Sequence, residues 1–163
     1  MITNAGNWNE IIKFGGQAIF IVVGWIVVNK LSIKREKDKA RNDIIVKSVD
    51  SLCDLIDRLF DSARTYHSKA ERDRDAEVKM KMSIQDLSLR VASLQDLTGY
   101  IPSYIECQDD VIRLRQAITS NHFEDEHTGS AELNSEIFQR IAEASLAAKR
   151  NLITLKHRQF SIK

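Results

Sequence analysis

The sequence predicts an all-α protein: one N-terminal transmembrane helix, then a cytoplasmic helical bundle, coiled-coil-like, with a long first helix. Three observations lead there. Residues 14–28, FGGQAIFIVVGWIVV, carry no charge. No Gly or Pro stands between Gly24 and Gly99. Apolar residues beyond the uncharged run recur in alternating steps of four and three, the spacing of a helical packing stripe. No sustained period-two alternation between turn residues offers a competing strand pattern.

The anchor comes first. Taken to its nearest apolar neighbours, the run extends over residues 11–31, close to the ~20 residues that span a hydrocarbon core. Lys13 and Lys30 lie near its ends and can lay their stems on the apolar surface with the ammonium among headgroups. Phe14, Phe20 and Trp25 supply aromatic bulk within it. A core helix would keep a polar face, and Ile19 to Val28 has none. A cleaved signal peptide would continue into small residues in an A-x-A-like pattern. Here the run continues into Asn29-Lys30-Leu31-Ser32-Ile33-Lys34. The expectation is an uncleaved anchor, preceded by a short external tail at 1–10.

The flanking charges set the orientation. Residues 30–41 hold six basic and two acidic side chains. Basic residues beside a span stay in the cytoplasm, so the tail crosses and the rest of the chain stays inside. The juxtamembrane segment, 32–43, is expected to touch anionic lipid headgroups through Lys34, Arg35, Lys37, Lys39 and Arg41. Net charge is +1 for the whole chain, zero for residues 1–29 and −3 for residues 42–163. Nucleic-acid binders carry their basic patch on the folded body; this body is mildly acidic, and no nucleic-acid partner is expected. Cys53 and Cys107 would sit in a reducing compartment, without a disulfide.

The body, 44–163, is long enough for one core. Its stripe runs through Ile45, Val49, Leu52, Ile56 and Leu59, then Ala63, Tyr66 and Ala70. Ile44, Leu55 and Phe60 widen it, as packing against more than one neighbour requires. The charged segment KAERDRDAEVK, residues 69–79, follows. Counting on through Asp73 and Glu77, the stripe resumes in phase at Met80, Ile84, Leu87, Val91 and Leu94. Preserved phase favours one continuous helix from about 32 to 98, with a break near 72–75 as the alternative. Gly99 and Pro102 then stop the helix. Ser103 and Glu106 form a possible capping box for a third segment, 103–120. A polar loop over 121–130 leads to a last helix at 131–157.

Candidate chemistry is sparse. His122, Glu124, Asp125, Glu126 and His127 share one loop and are metal-ligand types. The spacing carries one residue too many for the His-x-x-Glu-His pattern, and that chemistry uses a helix. The expectation is a solvated acidic loop with no metal. Cys53 reads as core packing, and nothing marks either thiol as activated. Neither a Gly-x-Ser-x-Gly elbow nor a phosphate-binding Gly loop is present.

Arg150-Asn151 followed by His157 resembles the Arg-x4–6-His signature of HEPN ribonucleases. The resemblance implies a dimerising helical bundle whose Arg and His form a composite RNA-cleaving site. It covers one helix and two residues, with five residues rather than the usual four between Asn151 and His157. The bland counterpart is a basic C-terminal turn that suits the helix dipole.

These observations lead to a single-pass, cell (inner) membrane protein whose cytoplasmic helices oligomerise or recruit partners. It would have no reaction, catalytic residue or cofactor of its own. Its partners would be the membrane, anionic headgroups, and a second copy or another helical protein. The alternatives are a membrane-perturbing toxin or defence effector activated by clustering and, with less support, a HEPN-like ribonuclease.

Overall fold

The computed structural model describes the backbone of residues 5–69, 71–98, 102–120, 123–124 and 136–161. Side chains are described within these ranges except at 5–21, 98, 102–103 and 159–161. Among the described residues there are four helices and no strand: α1 (Ala5–His67), α2 (Arg74–Thr98), α3 (Pro102–Thr119) and α4 (Glu136–Ser161). The chain divides into two compact units, Met1–Arg41 and Asn42–Lys163.

In the first unit residues 5–41 are helical, and every side chain described, from 22 to 41, is exposed. Among the described residues no helix is long and apolar enough to cross a membrane. The expected span at 11–31 draws residues 11–21, with Lys13, Phe14 and Phe20, from positions whose side chains lie outside the description.

The second unit is an up-down-up-down four-helix body. Cross-helix bonds give the order. Arg90 donates from Nη1 to Ser51 Oγ at 3.3 Å, joining α2 to α1. Lys149 and Lys156 on α4 reach Asp57 and Asp50 on α1 at 2.7 and 2.8 Å. With the Tyr66–Glu77 bond as a second link between α1 and α2, residue numbers rise on one helix as they fall on the other in both pairs, so both are antiparallel. Asn151 on α4 donates to Asp110 Oδ2 on α3 at 2.6 Å. The core between them is aliphatic, with Tyr66, Tyr104 and Phe138 as its aromatic members. Fully burying a Leu or Ile side chain contributes roughly 1.5–3 kcal/mol.

The structure corrects the expectation of one helix from about 32 to 98. The helix breaks between His67 and Arg74, a gap that overlaps the alternative position at 72–75. The turn uses no Gly; it is made by capping. Asp73 is the N-cap of α2: its Oδ1 accepts from Ala76 N at 3.0 Å, and its backbone carbonyl accepts from Glu77 N at 3.0 Å. Lys69 holds the same carboxylate from the turn at 2.6 Å. At the end of α1, Ser68 N still donates to Arg64 O, at 3.1 Å. The physical reason for turning is the width of the stripe. A continuous helix outruns the two shorter helices that could cover its stripe, whereas a hairpin lays Ile84, Leu87 and Val91 in the same core as Leu52, Ile56 and Leu59.

α3 begins at Pro102, one residue ahead of the expected cap, in a position where proline's missing N–H costs nothing. α4 is described from Glu136, and the expected first residues of that helix, 131–135, lie outside the described residues.

Candidate functional site

The residues singled out from sequence fall into three places. Of the expected anchor, residues 22–31 lie on the exposed part of α1, and so does the basic segment to residue 41. Trp25 is 68% exposed, and Lys30, Lys34, Arg35, Lys37, Lys39 and Arg41 are all exposed. Successive helical residues turn by ~100°, so Val22, Val23, Ile26, Val27 and Val28 present apolar surface in every direction. Continuity of α1 through this segment adds an arrangement the bare count did not reveal. Lys30, Lys34, Lys37 and Arg41 stand four, three and four residues apart, on one face. Arg35 and Lys39 lie off it. Gly24 has open space where a Cβ would stand.

The expected packing stripe lies inside the second unit. Ile45, Val49, Leu52, Ile56 and Leu59 are buried on α1, and Ile84, Leu87, Val91 and Leu94 on α2. These side chains pack within one chain, so they offer no surface to another. Any surface for a partner is on the outer faces.

The candidate chemical groups are separated or occupied. Arg150 and His157 are exposed on α4, and Asn151 between them is engaged with Asp110, a buried carboxylate that α4 thereby satisfies. Most of the acidic loop around His122 and His127 lies outside the described residues; of it, Glu124 is described, ion-paired with Lys81. Among the described residues no group of three or more His, Cys, Asp and Glu is placed to hold a metal ion. Both cysteines are free thiols. Burial pushes the Cys53 thiol up and the Cys107 thiol to about 12, away from the thiolate that a nucleophile needs.

Sequence reasoning missed a polar cluster where α1 meets the turn. Glu77, only 3% exposed, accepts from the Tyr66 hydroxyl at 2.7 Å and from Arg72 Nε and Nη2 at 2.8 and 2.9 Å. The Arg72 hydrogen bonds hold its carboxyl below the ordinary range, against the effect of burial. Burial, then the bond to Glu77, pushes the Tyr66 phenol up. His67 beside it is buried with Nε2 3.0 Å from the carbonyl of Ile118 on α3, and burial holds its pKa below the ordinary value. Phe123 closes the cluster against the Tyr66 ring, centroids 5.3 Å apart. The one signal was Glu77 itself, a carboxylate on an otherwise apolar stripe.

Each side chain of this cluster has a hydrogen-bond partner, and together they tie the end of α1 to the start of α2 and to α3. Comparison with protein-family models, with curated proteins and with solved structures found no match. The class that fold and residues define is therefore an all-helical bundle attached to a helix with an exposed apolar segment.

Proposed function

We propose that this is a single-pass membrane protein whose helical body works at the cytoplasmic face by assembly, recruiting or oligomerising partners. One observation carries the reading. Within the uncharged run 14–28, the side chains from Val22 to Val28 are exposed and apolar on every side of a helix, and a basic segment follows at once. Contiguous exposed apolar surface of that kind marks contact with a membrane or a partner. The all-round distribution favours lipid, which covers a helix from every direction.

Lys30 and Lys34, with Arg35, stand nearest the run and would meet the headgroups. Arg41 is eleven residues from Lys30, ~16 Å along the helix at ~1.5 Å per residue. Its attraction to a charged surface is therefore well screened at physiological salt. The lipid-facing charge is thus weighted to the first turns. Vesicle flotation tests this. The full chain should float with vesicles, and a Lys30→Glu/Lys34→Glu/Arg35→Glu variant should lose its preference for anionic over neutral lipid. A preference unchanged by that triple substitution contradicts the assignment of the headgroup contacts.

A further inference from the structure

We infer that two copies of this chain pair through the outer face of α2, with the two α2 helices side by side and parallel about a twofold axis. The inference rests on the reading of the body as an assembly module and names the surface used. Val78, Met82 and Leu89 are 56%, 65% and 64% exposed. Among the described residues, no other helix of the body exposes as many large apolar side chains. Successive residues turn by ~100°, which sets this row roughly opposite the buried Met80, Ile84, Leu87 and Val91. The row runs Val78, Met82, Gln85, Leu89 and Ala92, all exposed, in steps of four, three, four and three. That is the spacing of a two-stranded seam, left uncovered because the core takes the other side of α2.

Charge selects a second copy as the occupant. In a parallel pair, the residue just before Met82 meets the residue just after Gln85 of the other copy, as flanking positions of such a seam do. These are Lys81 and Asp86, so twofold symmetry forms an opposite-charge pair twice. Within its own copy Lys81 pairs with Glu124, and Asp86 with Arg90 at 2.9 Å. Exposed pairs of that kind contribute little and exchange readily. Gln85 sets the direction. Parallel pairing places its amide against the same amide of the other copy, where each can donate and accept. Antiparallel pairing that keeps Val78 against Leu89 places Gln85 against Met82, and a covered amide without a partner costs free energy. Asp75 and Asp96 take the next positions of the row and end the seam. At Asp75 the flanking Arg74 and Lys79 supply counter-charge. Two heptads make a short seam, so the pair gains from copies confined to one membrane surface.

The test is energy transfer between donor- and acceptor-labelled copies of the full chain, labelled at the C-terminus and titrated in mild detergent. Lys81→Asp alone, or Asp86→Lys alone, sets like charges together and should weaken pairing about tenfold, a 1.4 kcal/mol difference. An equal mixture of the two variants restores both opposite-charge pairs and should pair as tightly as the parent. Changes within one copy cannot produce that rescue. Leu89→Ser should weaken pairing while the melting temperature of the body stays at the parent's, because the side chain is exposed. A parent that stays monomeric, or a mixture that pairs no better than either variant alone, overturns the inference. Weakening by Asp86→Lys but not by Lys81→Asp also overturns it, since antiparallel pairing brings Asp86 to Lys79 instead. Detergent makes the readout independent of the span, and flotation with vesicles is scored separately. Failure of the anchor is thus distinguishable from failure of the seam.

Discussion

Glu77 shows how one side chain can decide a local structure. It occupies a position where an apolar residue continues the stripe, yet its carboxylate is nearly sealed from solvent by Tyr66 and Arg72. Glu77→Ala leaves the buried Tyr66 hydroxyl without its acceptor and removes two hydrogen bonds from the half-buried Arg72 guanidinium. It should lower stability by about 2–3 kcal/mol in urea denaturation. Glu77→Gln keeps the shape and should cost less. His67 adds a pH dependence. Its folded pKa lies below the ordinary 6.5, so the unfolded chain binds more protons between the two values. Its contribution is present above pH 6.5 and lost as pH falls below it. Glu77, held below 4.5, contributes stability present above that value and lost as pH falls through its folded pKa. Acid titration of stability should therefore fall in two stages, His67 first. His67→Gln should abolish the upper stage and leave the lower one. An upper stage that survives in that variant would place the titrating group elsewhere.

At the scale of elements, the turn at 68–73 separates what the sequence makes legible from what it conceals. Helix identity and the buried face were readable, because Ile45 through Leu94 repeat at helical spacing. The turn was readable only as the alternative near 72–75, since both arms of a hairpin carry the same period and their phases agree across it. Asp73 was the missed signal: a capping residue followed by Asp75 and Glu77, acids in the first turn of α2. The two structures predict opposite results for proline at residue 74. As the first residue of α2, Arg74→Pro should change stability by no more than about 0.5 kcal/mol. Within a continuous helix it would cost roughly 3 kcal/mol or more. Asp73→Ala should remove the cap and cost about 1 kcal/mol. A probe pair at Ser62 and Ser83, which line one crevice between α1 and α2, should read a short distance within one chain. On one straight helix the same pair stands about 30 Å apart.

For the molecule as a whole, the core is shared by all four helices, so it should fail as a unit. Replacing Ile56 and Leu59 together by Asp puts two unpaired carboxylates into the most buried layer of α1. The body should unfold outright, a loss of several kcal/mol. A double variant that keeps its melting temperature contradicts the packing. The candidate site was less legible than the core. Apolar run and basic flank stand out in any sequence, because length and charge alone define them. The cluster of Tyr66, Arg72 and Glu77 does not, because these side chains meet only when the turn after α1 folds α2 back on it. The central claim is a chain anchored through residues 11–31 with its body in the cytoplasm. Paired reporters fused after Lys163 test it most directly, one active only in the cytoplasm and one only outside. The account predicts a membrane-bound fusion in which the cytoplasmic reporter alone is active. Activity of the external reporter, or a fusion that stays out of the membrane fraction, would contradict it.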